Sequence, residues 1–187
     1  MDSRLRGNDG GVICGHCQIK PRGSRVLLIR PAAPSDAPAI WSIIGSTIRA
    51  GETYALDRAM PEDEALAYWL APDKETFVLE DEAGALLGTY YLRANQAAGG
   101  AHVANCGYMT GAAAAGRGVA RAMCQHSIDH ATARGFRAIQ FNFVVSTNAR
   151  AVKLWESFGF AIVGRLPGAF AHPAHGLVDA LVMFRDL

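Results

Sequence analysis

The stretch Met109-Thr110-Gly111-Ala112-Ala113-Ala114-Ala115-Gly116-Arg117-Gly118-Val119-Ala120 decides how this chain is read. A β-rich run ends at Met109, a loop of small residues follows, and a helical pattern begins at Gly116-x-Gly118. With no side chain at Gly116 or Gly118, the first amides of that helix are open to a ligand. The positive end of the helix dipole favours an anion there, so the junction reads as a phosphate cradle. An ordinary tight turn uses the same residue types. Two other phosphate loops are excluded. Arg121 stands where GxGxxG needs its third glycine, and no Gly-Lys-Ser/Thr closes the loop.

Outward from the junction, the periods give an alternation of elements. Before it, Val26–Arg30 reads as a strand stopped by Pro31. A helix capped by Ser35 or Asp36 then carries Ile40, Ile43, Ile44 and Ile48 on one face and ends at Gly51. Pro61, followed by Glu62, Asp63 and Glu64, starts a second helix with Leu66, Trp69 and Leu70. Thr76–Glu80, Leu86–Arg93 and His102–Met109 read as an antiparallel meander. After the junction come helix Arg117–Arg134, strand Ala138–Val145, helix Asn148–Phe158 and strands near Phe160–Leu166 and Leu177–Arg185. The expected fold class is α+β, a mixed sheet covered by helices.

The 187 residues make one domain, half of them apolar, with a formal charge of +1. Such a balance provides no global field for nucleic acid, and no apolar run is long enough for a membrane span. The expectation is a soluble, cytoplasmic protein without a nucleic-acid or membrane partner. Residues 1–25 carry five basic and two acidic residues, no aromatic and six helix breakers, and read as a flexible extension ahead of a domain at 26–187. Cys14-Gly15-His16-Cys17 lacks the flanking strand and helix of a redox motif and the second ligand pair of a zinc site. Cys106 and Cys124 sit in apolar segments and read as core. His172 and His175 lack a third ligand, and Gly168–Gly176 reads as a loop lining the active site. No metal is expected.

Set beside Ser146-Thr147-Asn148-Ala149-Arg150-Ala151-Val152-Lys153-Leu154-Trp155-Glu156-Ser157-Phe158-Gly159-Phe160, the junction resembles the paired signature of the GCN5-related N-acetyltransferases, the GNAT family. Gly116, Gly118 and Ala120 match the pyrophosphate loop; Asn148, Ala151, Leu154, Trp155, Gly159 and Phe160 match the later helix. The resemblance implies the GNAT fold, mostly antiparallel with a splayed central strand pair. It also implies acetyl-CoA as cosubstrate, held by Met109, Thr110, Gly111, Gly116, Arg117, Gly118, Val119, Ala120, Asn148 and Trp155. Ala113 and Ala115 replace the family's basic or amide residues, which shifts the phosphate contacts to backbone amides and to Arg117 or Arg121. Trp155 replaces the usual tyrosine and cannot protonate a leaving thiolate. Tyr108 is the candidate donor in its place, against its reading as a half-buried strand aromatic.

The strands His102–Tyr108 and Phe141–Val144, with Thr147-Asn148 and the closing strand, look like the fungal branch acting on L-azetidine-2-carboxylate and related proline analogues, in which tryptophan also replaces the tyrosine. That resemblance assigns Asn105 and Asn142 to the acceptor and to charge in the transition state. Unpartnered, a buried amide costs about 1–3 kcal/mol, so each otherwise bonds backbone where the strands diverge. The resemblance to the family further implies that the loop Gly51-Glu52-Thr53-Tyr54 forms the other lip of the acceptor pocket. The implied function is direct acetyl transfer to a small-molecule amine, an amino acid or analogue. A non-catalytic acyl-CoA sensor and a protein N-acetyltransferase remain as alternatives, and a homodimer is left open.

Overall fold

The structure is a computed structural model that describes residues 17–19 and 27–187. Eight strands form one sheet: β1 (Cys17–Ile19), β2 (Leu27–Pro31), β3 (Glu75–Asp81), β4 (Leu86–Ala94), β5 (Val103–Thr110), β6 (Ala138–Val145), β7 (Ala161–His172) and β8 (Gly176–Asp186), in the order β1-β2-β3-β4-β5-β6-β8-β7. The helices are α1 (Ala37–Ala50), α2 (Glu62–Trp69), α3 (Val119–Ala133) and α4 (Ala149–Ser157). The expected mixed, mostly antiparallel α+β architecture is therefore present.

Side chains alternate across the strands, so each face of the sheet needs its own cover. On one face, Leu79, Leu92 and Ile139 pack with Met123, Cys124 and Ile128 of α3 and Trp155 of α4. On the other, Val78, Tyr91 and Met109 pack with Ile40, Ile43, Ile44 and Ile48 of α1 and Trp69 of α2. Trp69 is fully buried, and its indole N–H donates to Thr89 Oγ1 at 3.0 Å. That hydroxyl in turn donates to the Phe77 carbonyl at 2.9 Å, so the polar atoms of Trp69 and Thr89 are satisfied.

One irregularity positions the site. β5 and β6 are parallel, joined across α3, and pair only at Val103↔Ala138 and Ala104↔Ile139. Beyond those two pairs the ladder stops and the strands splay. β6 then bulges against β8, its register shifting between Phe141 and Val144. A bulge re-aims side chains and interrupts pairing, which places Asn142 and Phe143 at the opening.

Several boundaries differ from the sequence reading. β1 pairs with β2 from Cys17↔Ile29 to Ile19↔Leu27, so part of the expected extension joins the sheet; residues 1–16 and 20–26, Cys14 included, lie outside the described residues. α3 begins at Val119 rather than Arg117, because Gly116 (φ 71°) and Gly118 (φ 74°) are left-handed and Gly118 is the N-cap. Asp36 does precede α1, but its carboxylate accepts from Arg30 at 2.7 and 2.9 Å and from the Ala33 N–H at 2.7 Å, not from a helix amide. β7 continues to His172, where a loop was expected. The segment is the end of the β7–β8 hairpin, with His172↔Gly176 paired and His172 Nδ1 accepting the Ala174 N–H, and it lines neither cavity of the candidate site.

Candidate active site

Two cavities reach the splay from opposite sides of the sheet. The larger, about 740 Å³, runs along the Thr110–Arg121 junction and α4. Its floor is the cradle expected from the sequence. Ala122 N–H makes the first helical bond of α3, to Gly118 O at 2.9 Å. The N–H groups of Val119, Ala120 and Arg121 therefore have no intrahelical acceptor, as at any helix start, and Gly118 supplies no capping side chain. A Cβ built at Gly116 or Gly118 meets nothing within 4 Å, so the space over these amides is open. Arg121, Arg150 and Lys153 line the cavity, and among the described residues no acidic one does. Open amides at a helix start beneath three cations fit a diphosphate group.

The smaller cavity, about 310 Å³, lies on the α1–α2 side. Tyr54, Tyr68 and Tyr91 form one wall, with Phe141 and Phe143 opposite, and Asn105, Asn142 and Arg93 supply the polar atoms. The two cavities share Tyr108, Asn148, Ala151 and Trp155. Groups bound on the two faces of the sheet would meet there.

The polar groups at this meeting point are fixed by local bonds. Asn105, in the last step before the splay, donates Nδ2–H to the Gln140 carbonyl at 2.9 Å, replacing a ladder bond that the diverging strands have lost. Its Oδ1 accepts from no group among the described residues. Asn148 caps α4 by accepting the Ala151 N–H at 3.2 Å, which leaves its Nδ2. Tyr54 donates its hydroxyl to the Tyr108 carbonyl at 2.9 Å, satisfying an edge of β5 that β6 no longer covers. Trp155 stacks at a tilt on Tyr108, with centroids 4.9 Å apart, and on Phe141 at 5.1 Å.

Tyr108 fits the strand-aromatic reading. Ser127 Oγ donates to the Cys124 carbonyl at 2.7 Å, so in its 2.7 Å contact with Tyr108 Oη the serine is the acceptor and the phenol the donor. The Tyr108 proton thus points at α3 inside the core. Burial also pushes its pKa well above the ordinary phenol value. Cys106 is buried, and burial pushes its thiol up to about 12, which makes it a poor nucleophile.

The remaining expected residues are placed unevenly. Thr110, Gly111, Gly116, Gly118, Val119 and Ala120 line the larger cavity; Thr53, Tyr54 and Asn142 line the smaller one. Met109 points into the α1–α2 core. Arg117 is held by Asp81 at 3.0 Å and lines neither cavity. Glu52 is exposed and lines neither. Asn142 sits on the exposed rim, donating to Asn95 Oδ1 at 2.6 Å and accepting from Gln140 Nε2 at 2.8 Å. Arg93, Arg150, Lys153 and the tyrosines 68 and 91 were missed. Their charges and rings are ordinary in sequence, and only the splay gathers them. No group of three His, Cys, Asp or Glu able to hold a metal occurs among the described residues, and no described helix is long and apolar enough to cross a membrane.

Comparison with known proteins agrees with this geometry. The acetyltransferase (GNAT) family profile matches residues 41–160. A GCN5-related N-acetyltransferase from Kribbella flavida is 47% identical, with a TM-score of 0.83 over 86% of this chain and 98% of that one. An acetyltransferase from Salmonella typhimurium, solved with acetyl-CoA, shares the fold at 23% identity, with a TM-score of 0.75 over 86% and 94% of the two chains. The N-acetyltransferase aca1 of Schizosaccharomyces pombe is 28% identical over 74% of each protein. The chain belongs to the GNAT family and is an acetyl-CoA-dependent N-acetyltransferase.

Proposed function

We propose that the acceptor is a small-molecule amine, an amino acid or close analogue, acetylated by direct transfer. The observation that carries this reading is the smaller cavity: about 310 Å³, walled by aromatic rings and open to the cosubstrate cavity at Trp155 and Tyr108. That volume suits a compact molecule. Kinship with the yeast N-acetyltransferase and the tryptophan at 155 favour the azetidine-2-carboxylate branch.

Acetyl-CoA supplies the activated acyl group. The amides of Val119, Ala120 and Arg121 hold its diphosphate, and Arg121, Arg150 and Lys153 add charge. On the other face, Asn105 Oδ1 accepts an N–H of the incoming amine and aims its lone pair through the splay. Among the described residues no Asp, Glu or His lines either cavity, so the amine loses its proton to water rather than to one of their side chains. The departing thiolate needs no strong acid, since thiols ionise near pH 8.5. Asn148 Nδ2–H and the positive N-terminus of α4, both at the junction, stabilise it.

The test is thiol release from acetyl-CoA across free amino acids, cyclic imino acids, polyamines and short peptides. Turnover confined to amino acids and imino acids is expected. Turnover confined to peptides would replace the small acceptor with a protein one, and acetyl-CoA binding without turnover on any amine would point to a sensor. Exposed Ile162, Val163, Leu166 and Leu177 on the β7–β8 hairpin favour a homodimer across that edge, which light scattering reads directly.

A further inference from the structure

Arg93 enters the sequence reading only as the end of a strand, yet it lines the smaller cavity. We infer that Arg93 anchors a carboxylate of the acceptor, so the substrate is an amine bearing a carboxylate next to its nitrogen. The inference rests on the transferase reading above. Three observations carry it.

Among the described residues Arg93 is the one charged residue lining the smaller cavity, and no acidic side chain of theirs lines it. Its guanidinium is underused. Nη1 donates to Asp73 at 3.1 Å, a partner outside the cavity that is 58% exposed, whereas Nε is buried with no acceptor among the described residues. A buried N–H left unpaired is costly, and a carboxylate is the acceptor that a guanidinium fork fits best.

Arg93 and Asn105 are also direct cross-strand partners in the β4–β5 ladder. Their Cβ atoms rise from the same face about 5 Å apart. A carboxylate at Arg93 therefore places an α-nitrogen within reach of Asn105 Oδ1, whose Nδ2 is already committed to Gln140. Carboxylate and amine are read by adjacent residues of one pair.

The surrounding charge is positive on balance. Lys74 lies outside the cavity wall, with Nζ 3.5 Å from the Tyr68 ring centroid and 4.7 Å from that of Tyr91. Arg93 and Lys74 stand against the single carboxylate of Asp73, a balance that favours an anionic or zwitterionic acceptor over polyamines and lysine side chains.

The test compares azetidine-2-carboxylate and proline with their amides and with azetidine and pyrrolidine, at equal concentrations of deprotonated amine. The enzyme is assayed unchanged and as Arg93→Gln and Arg93→Lys. Unchanged enzyme should prefer the acids. Arg93→Gln should raise the acid KM about 10- to 100-fold while leaving the amide KM, and the Kd for acetyl-CoA by calorimetry, within about twofold; Arg93→Lys should restore part of the preference. Equal use of acids and amides by unchanged enzyme, or an equal shift of both in Arg93→Gln, overturns the anchor and leaves the transferase standing. Silence with every amine removes the transferase reading, and the anchor with it.

Discussion

Replacing Gly107 by alanine tests the wall of the acceptor cavity. Gly107 pairs with Tyr91 across the β4–β5 ladder, and a Cβ at 107 would sit 2.6 Å from Tyr91 Cε1, 2.7 Å from Cζ and 2.9 Å from the hydroxyl. Carbon atoms in contact rest near 3.5–4.0 Å, so the ring must move by about 1 Å. It has little room: Tyr91 is 5% exposed and packs edge-on against Trp69 with centroids 4.9 Å apart. Overpacking of this kind costs about 1–3 kcal/mol, or about 2–12 °C in Tm for a domain of this size. Because Tyr91 lines the smaller cavity, proposed for the acceptor, and not the larger one, proposed for the cosubstrate, the KM for the amine should rise while that for acetyl-CoA holds. Calorimetric melting and initial-rate kinetics read both. Adding Tyr91→Leu should recover part of the loss, as a non-additive coupling of about 1 kcal/mol between contacting residues. An unchanged Tm with unchanged amine kinetics would refute the placement of the ring over β5.

Further outcomes follow from the same geometry. Gly118→Ala should cost about 1–2 kcal/mol for its left-handed backbone and raise the KM for acetyl-CoA but not for the amine; a normal acetyl-CoA KM would remove the cradle from cosubstrate binding. With no acidic or His side chain among the described residues lining either cavity, log kcat/KM for the amine should climb with unit slope up to the pKa of the free ammonium. An inflection near pH 6–7 that belongs to the enzyme would reveal a base the geometry lacks. His126, whose Nδ1 meets Tyr90 Oη at 2.5 Å, is held neutral: burial, then neighbouring His130, lowers its pKa to about 4. Unfolded, it binds a proton near 6.5. Its share of stability is therefore complete above pH 6.5 and is lost as pH falls towards 4, so urea midpoints should decline across that window and decline less in His126→Gln.

The sequence determined the order and type of most elements and the open helix start after Gly116-x-Gly118, because these rest on local physics. The isoleucines of α1 repeat at helical spacing, Gly51 ends that helix in a left-handed conformation, and Gly116-x-Gly118 can do little else before a helix than leave its amides bare. Paired with Asn148 and Trp155, that loop was enough to indicate the family. Local rules erred where long-range pairing intervened, as in the extension of β7 to His172 through its ladder with β8 and the addition of β1 at the far edge.

The smaller cavity, proposed to hold the acceptor, was decided by tertiary structure. Asn105 and Asn142 stood out as amides in apolar strands. Only the short β5–β6 ladder and the β6 bulge show why each is tolerated there: one replaces a lost ladder bond, and the other sits at an exposed rim. Glu52 and Arg117 looked chemically apt and were turned elsewhere, to solvent and to Asp81. In the sequence Arg93 marks only the end of a strand; the pairing sets it beside Asn105. A residue's chemistry is written in its side chain, but its neighbours across a sheet are set by register, and register is fixed by the burial of whole faces rather than by any local signal.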